Sequence, residues 1–258
     1  MSLPLRSRHR LAATGPAALS LALLLGLCAS FSGCNSGTPA ASSDAAQPAP
    51  SAATGAPSPL LGPADPPASA ADAADSRPVI VCFGDSLTAG YGTDPGQSYP
   101  DNLQRDLDHL GYHYRVVNAG VSGNTTKDGA DRLKDVLRLK PAVVIVAFGG
   151  NDGLRGLPIE TTRDNLDRIV STLKQSGAKV VLGGITLPPN YGPDYIRQFD
   201  ETYQFVAKKY RVPLMPFILK DVYNVPGSMQ RDGIHATAQG NKQVALNLLL
   251  LVKPLLKK

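Results

Sequence analysis

The stretch from Val79 to Gly90, Val-Ile-Val-Cys-Phe-Gly-Asp-Ser-Leu-Thr-Ala-Gly, constrains the fold of this 258-residue chain more than any other. Its first five residues are apolar and mostly β-branched, a run too short for a helix and suited to a strand buried on both faces. Gly84 ends the run and Asp85-Ser86 follow, so a hydroxyl is placed at the carboxyl end of a buried strand. That edge is where open α/β sheets hold their ligands. Ser86 is therefore the first candidate for chemistry.

A serine hydroxyl is a poor nucleophile until a base takes its proton. Of the four histidines, His9 lies in a basic N-terminal leader, and His109 and His113 flank Gly111 at the end of an amphipathic stretch, where they read as surface residues. His235 remains. It stands in Asp232-Gly233-Ile234-His235, where the carboxylate three residues upstream can hydrogen-bond the imidazole, fix its tautomer and stabilise the imidazolium formed when Ser86 loses its proton. Without such a partner, Ser86 reads only as a helix N-cap and Asp232 as part of an Asp-Gly turn.

Composition changes sharply near Pro78. Residues 35–77 are mostly Ala, Pro, Ser and Gly, too poor in large apolar side chains to offset their ordering entropy, and read as a disordered tether. Before them come Arg6, Arg8 and Arg10, an apolar stretch from Ala17 to Phe31, and Ser32-Gly33-Cys34. This is the pattern of a secretory signal. Phe31-Ser32-Gly33-Cys34 resembles a bacterial lipobox, with Phe31 where leucine is usual, and implies cleavage before Cys34 and acylation of its thiol. The expected organisation is a lipoprotein-type signal peptide over 1–33, a tether over 34–77 and one folded domain over 78–258. The protein is expected to be exported to the periplasm or cell envelope and held at a membrane by the lipid on Cys34.

From Pro78 onward the chain carries 22 Lys and Arg against 17 Asp and Glu, scattered rather than gathered in a stripe, so no nucleic-acid partner is indicated. Cys82 is then the domain's one cysteine and, among apolar neighbours, reads as a packed thiol rather than a nucleophile. No His/Cys cluster suggests a metal, and no cofactor is expected. A monomer is the expected state.

The remaining elements read in order. Leu103, Leu107 and Leu110 predict a helix ended by Gly111, Tyr114 to Val117 a short strand, and Asn118 to Thr125 a glycine-bearing loop. That loop brings backbone N–H groups to the Ser86 edge if the strands are parallel. Ala130, Leu133, Val136 and Leu137 predict one helix from Thr125 to Lys140, closed by Pro141. Ala142 to Ala147 is a second buried strand, followed by Gly149-Gly150-Asn151-Asp152. A helix over Ile159 to Gln175, a strand over Lys179 to Ile185, a helix over Tyr195 to Tyr210, a strand over Val212 to Pro216 and a last helix to about Leu256 complete the chain. Leu187 and Pro188, in the loop after the fourth strand, suit the wall of an acyl pocket. Strands alternating with helices predict a three-layer α/β/α sandwich with a flavodoxin-like five-stranded parallel sheet in the order 2-1-3-4-5.

Gly84-Asp85-Ser86-Leu87, the loop containing Gly123, Gly149-Gly150-Asn151-Asp152 and Asp232-Gly233-Ile234-His235 together resemble the four blocks of the GDSL, or SGNH, hydrolases. The resemblance covers about Pro78 to Leu256. Val117-Asn118-Ala119, Gly149 to Gly156 and Leu187 to Gly192 are most similar to the exported bacterial thioesterase I, lysophospholipase and arylesterase group. It implies Ser86 as nucleophile, His235 as base, Asp232 as its orienting carboxylate, and an oxyanion held by the N–H groups of Ser86 and Gly123 and the side-chain amide of Asn151. It also implies an acyl-enzyme route for carboxylic esters, whether lysophospholipid, acyl or aryl esters or acyl thioesters, without metal. Ala236 departs from the proline frequent after the histidine. Asp85 and Asp152 read as structural. A carbohydrate O-acetyl esterase using the same residues, and a flavodoxin-like ligand-binding lipoprotein, are the alternatives.

Overall fold

The computed structural model describes residues 75–258, so the expected signal peptide, the Cys34 lipidation site and most of the tether lie outside the described residues. Five strands, β1 (Val79–Gly84), β2 (Arg115–Gly120), β3 (Val143–Ala147), β4 (Lys179–Gly183) and β5 (Leu214–Met215), form one sheet in the order β2-β1-β3-β4-β5. Every pairing is parallel. The central strands β1 and β3 are buried along their whole length, which is what their unbroken apolar runs require. Edge strand β2 is half-buried, and its Val116 and Val117 pack against the core from the rim.

Helix α2 (Tyr99–His109) packs against the last helix, α8 (Ala238–Val252). The helix α6 (Ile159–Gln175) packs against α7 (Pro193–Tyr210) and the short α3 (Thr126–Asp131). Helices therefore cover the sheet in two groups, and the sandwich forms as expected. At its centre the Phe83 and Phe148 rings meet edge to face at 4.8 Å, both fully buried.

Local boundaries differ from the sequence expectation where tertiary contacts override periodicity. The expected single helix over 125–140 breaks at Arg132 into α3 and α4 (Leu133–Arg138). There the guanidinium leaves the helix surface, stacks 4.6 Å over the Phe83 ring and donates to the Gly84 and Ala119 carbonyls and to Asn124 Oδ1. Strand β2 runs on to Gly120 instead of stopping at Val117, because Ala119 and Gly120 pair with Phe83 and Gly84. A side chain at Gly120 would collide with the backbone at Thr88 and Ala89. Two helices had no period to announce them: α1 (Ser86–Ala89) and α5 (Gly150–Leu154). Leu110, counted as apolar face, is the exposed C-cap of α2. Strand β5 shrinks to two residues between Pro213 and Pro216, which lack the N–H a ladder needs. The last helix stops at Val252, where Pro254 turns it into a 3₁₀ turn. Asp75 and Arg77, at the end of the expected tether, are ion-paired at 2.7 Å, and Arg77 also donates to the Tyr114 carbonyl.

Candidate active site

Ser86 stands at the first position of α1, so its backbone N–H belongs to the group at a helix start that has no intrahelical partner. Asp85 is the N-cap and accepts from Leu87 N–H at 3.0 Å, which makes the strand-to-helix turn abrupt. The turn also needs Gly84, since a Cβ there would collide with the Thr88 hydroxyl and the Ala147 carbonyl. These contacts present the Ser86 hydroxyl at the carboxyl edge of the sheet.

The loop before α8 brings His235 to the same edge. His235 Nε2 lies 2.8 Å from Ser86 Oγ, and its Nδ1 lies 2.6 Å from Asp232 Oδ2. The other carboxylate oxygen accepts from the N–H groups of Ile234 and His235, at 2.9 and 3.0 Å. Burial pushes the Asp232 carboxyl up, but the hydrogen bonds from the His235 ring and from the two N–H groups outweigh it, and the net effect holds the group below its ordinary value. Asp232 is thus ionised over the working range and favours the tautomer with the proton on Nδ1, which leaves Nε2 free to accept from Ser86. The Tyr91 ring, 54% exposed, covers the imidazole at 4.7 Å.

A loop joins this pair from β2. Gly123 has φ +81° and its carbonyl accepts from Arg155 Nη2 at 2.9 Å. Asn124 is held at its side-chain oxygen by Arg132 and at its carbonyl by Asn151 Nδ2, at 2.7 and 2.9 Å. A carboxamide nitrogen carries two hydrogens, so the Asn151 amide keeps one for another acceptor. Ser86, Gly123, Asn151 and His235 all line one cavity of about 530 Å³. Leu187 and Pro188 line it too. Leu187 is almost fully buried over Gly153, where any side chain would collide with it, and the Tyr191 hydroxyl pins the loop to the Leu154 carbonyl at 2.9 Å.

Several lining residues escaped sequence reasoning: Tyr91, Leu154, Phe217, Leu219, Tyr223 and Ile234. Ile234 and Tyr91 had a usable signal, being large and apolar in otherwise polar loops beside His235 and after Ser86. Phe217 and Tyr223 lie in an irregular stretch with no period to read. His109 and His113 are exposed on the surface, and Cys82 is fully buried, its thiol pushed far up by that burial. Among the described residues no cluster of His, Cys, Asp or Glu could hold a metal ion, and no helix is long and apolar enough to cross a membrane.

Asp152 is buried and accepts from the Thr126 N–H at 2.9 Å and from the Thr162 hydroxyl at 3.3 Å, a structural use. Asp85 is 1% exposed, and burial raises its carboxyl from 3.8 to about 7, with the Leu87 N–H pulling down and the Asp152 charge pushing up. A carboxyl whose folded value is raised binds its proton more tightly when folded, so its stabilising contribution is full below about pH 4 and lost as pH rises through 7. The Asp85 contribution to this loss is up to roughly 4 kcal/mol. Asp85→Asn, which can still cap Leu87, is expected to remove much of the fall in melting temperature between pH 5 and pH 8. An equal fall in both proteins would exclude Asp85 as its source.

Residues 82–243 match the family model described as GDSL-like Lipase/Acylhydrolase family. The Esterase TesA of Pseudomonas aeruginosa is 43% identical over 178 residues, covering 69% of this chain and 89% of that protein. The Thioesterase 1/protease 1/lysophospholipase L1 of Escherichia coli K12 is 37% identical over 177 residues, covering 68% of this chain and 84% of its own length. The crystal structure of TesA superposes with a TM-score of 0.67 at 43% identity, over 69% of this chain and 99% of that one.

Proposed function

The chain belongs to the GDSL-like lipase/acylhydrolase family and is an esterase of the GDSL type; from that premise we propose that it cleaves carboxylic esters of apolar acyl chains by a Ser86-His235-Asp232 acyl-enzyme mechanism. The observation that carries this reading is the 2.8 Å approach of His235 Nε2 to Ser86 Oγ, with Asp232 2.6 Å behind the ring. Ser86 Oγ attacks the carbonyl carbon as its proton passes to His235 Nε2. The oxygen that becomes negative is received by the N–H groups of Ser86 and Gly123 and the free hydrogen of the Asn151 amide, donors worth about 3 kcal/mol each in such sites. Collapse breaks the bond to the alcohol or thiol, which leaves with the proton from His235. Water then gives a proton to His235 as it attacks the acyl carbon, and collapse breaks the bond to Ser86 Oγ, which takes that proton back from His235 as the acid departs.

The wall built from Leu154, Ile185, Leu187, Pro188 and Phe217 supports an acyl chain of several methylenes rather than an acetyl group. Lysophospholipids, medium-chain acyl esters, aryl esters and acyl thioesters are the substrate classes this favours. The same reading has the protein exported, cleaved before Cys34 and anchored by a lipid on that thiol. One mass-spectrometric map tests both halves. After treatment with a fluorophosphonate the label is expected on Ser86 and an acyl mass on the peptide starting at Cys34. Octanoyl p-nitrophenyl ester should exceed the acetyl ester in kcat/KM by more than about 10-fold, since each buried methylene is worth ~0.8 kcal/mol. Label on another residue would end the nucleophile assignment, and a preference for acetyl would favour the O-acetyl esterase.

A further inference from the structure

Ser86 and His235 sit on different segments, and a single hydrogen bond between hydroxyl and ring is a weak device for fixing their separation. Behind them the two backbones are joined by a relay that passes through one side chain. The Ser86 carbonyl accepts from Tyr91 N–H at 3.1 Å. The Tyr91 carbonyl accepts from Gln230 Nε2 at 2.7 Å, across 139 positions of sequence. The same nitrogen donates to the Ala236 carbonyl at 2.9 Å, and Gln230 N–H donates to the His235 carbonyl at 2.8 Å. Both hydrogens of the carboxamide are therefore used, one on the Ser86 side and one on the His235 side.

The two ends of this relay are firm. An antiparallel bridge between Met229 and Ala236 closes the histidine loop into one unit. On the other side the Gln230 oxygen rests where a side chain on Gly92 would go, and Gly92 has φ +73°. Asn241 Nδ2, in α8, also reaches the Gln97 carbonyl at 3.1 Å, a second tie between the segment after Ser86 and the helix that follows His235. Gln230 is half-buried and does not line the cavity.

We propose that Gln230 is a positioning residue, whose amide clamps the Tyr91 and Ala236 carbonyls and so sets the distance over which Ser86 gives its proton to His235. It rests on those two residues being nucleophile and base. Gln230→Met keeps the length and loses the donors, and Gln230→Glu keeps the shape and loses them as well. Both are expected to lower kcat on a p-nitrophenyl ester by about 10–100-fold, the cost of an ångström-scale misplacement, with KM changed less than about twofold. The rate of fluorophosphonate labelling, which also needs the Ser86 proton removed, should fall by the same factor. Gly92→Ala, which pushes on the amide from the other side, gives the same signature and serves if a Gln230 variant does not fold. Wild-type kcat per labelled site in these variants, beside an inactive Ser86→Ala, would overturn the clamp alone. An active Ser86→Ala would instead overturn the assignment beneath it.

Discussion

Ser86→Ala and His235→Ala are each expected to lower hydrolysis of a p-nitrophenyl ester on the order of 10⁴-fold or more, and the double variant to be no worse than either. Non-additivity follows from the geometry. Ser86 Oγ meets His235 Nε2 at 2.8 Å, and in the proposed mechanism the proton moves along that one contact, so removing either end removes the same step. On the same proposal, what survives comes from the oxyanion donors at Gly123 and Asn151 and from the cavity itself. Folding should be spared in both. The cap of α1 is the Asp85 carboxylate rather than the Ser86 hydroxyl, and the half-buried imidazole is not part of the core. Melting temperatures within a few degrees of wild type, with Ser86→Ala refusing fluorophosphonate, complete the expected result. Retention of more than a few per cent of activity in either single variant would sink the assignment.

Elements buried on both sides could be read from the chain, because there burial alone decides sequence. Val79 to Phe83 and Val143 to Ala147 read as buried parallel strands, and the helical periods between them imply the layered sandwich, whereas the order 2-1-3-4-5 is one choice among doubly wound sheets. Elements shaped by partners distant in sequence could not be read. The apolar spacing at Ala130, Leu133 and Val136 runs straight through the break at Arg132, since all three stay buried on either side of it. The break is set by acceptors on Gly84, Ala119 and Asn124, which no local pattern exposes. The helices starting at Ser86 and Gly150 hold less than two turns, too few to show a period.

The site divides in the same way. Asp232 and His235 are three residues apart, so their bond was legible in the Asp-Gly-Ile-His spacing, and Gly233 at φ +69° supplies the turn it needs. Their meeting with Ser86 depends on strand order and on a loop before the last helix. Gln230 carried no signal at all, since a polar residue in a polar loop looks like ordinary surface.

Asp232→Asn is expected to lose on the order of 10³–10⁴-fold in kcat while keeping the fold, and Asp232→Ala to be the better enzyme of the two. The reason is where the two carboxylate oxygens point. Oδ1 accepts from the Ile234 and His235 N–H groups, so an asparagine sets its oxygen there and keeps the loop. Its nitrogen then takes the place of Oδ2, 2.6 Å from Nδ1, and offers a hydrogen where wild type offers a lone pair. Nδ1 must accept, the ring proton moves to Nε2, and Nε2 faces Ser86 with nothing to receive the hydroxyl proton. Alanine removes both loop acceptors, which should lower the melting temperature, yet it leaves the imidazole free to take either tautomer, and some of it will be competent. The order in stability, Asn above Ala, and the order in kcat, Ala above Asn, are therefore opposite. Thermal melts and kcat measured on the same preparations decide it. An Asn variant that keeps near-wild-type kcat would mean that Asp232 does not choose the tautomer and that His235 is oriented by the loop alone.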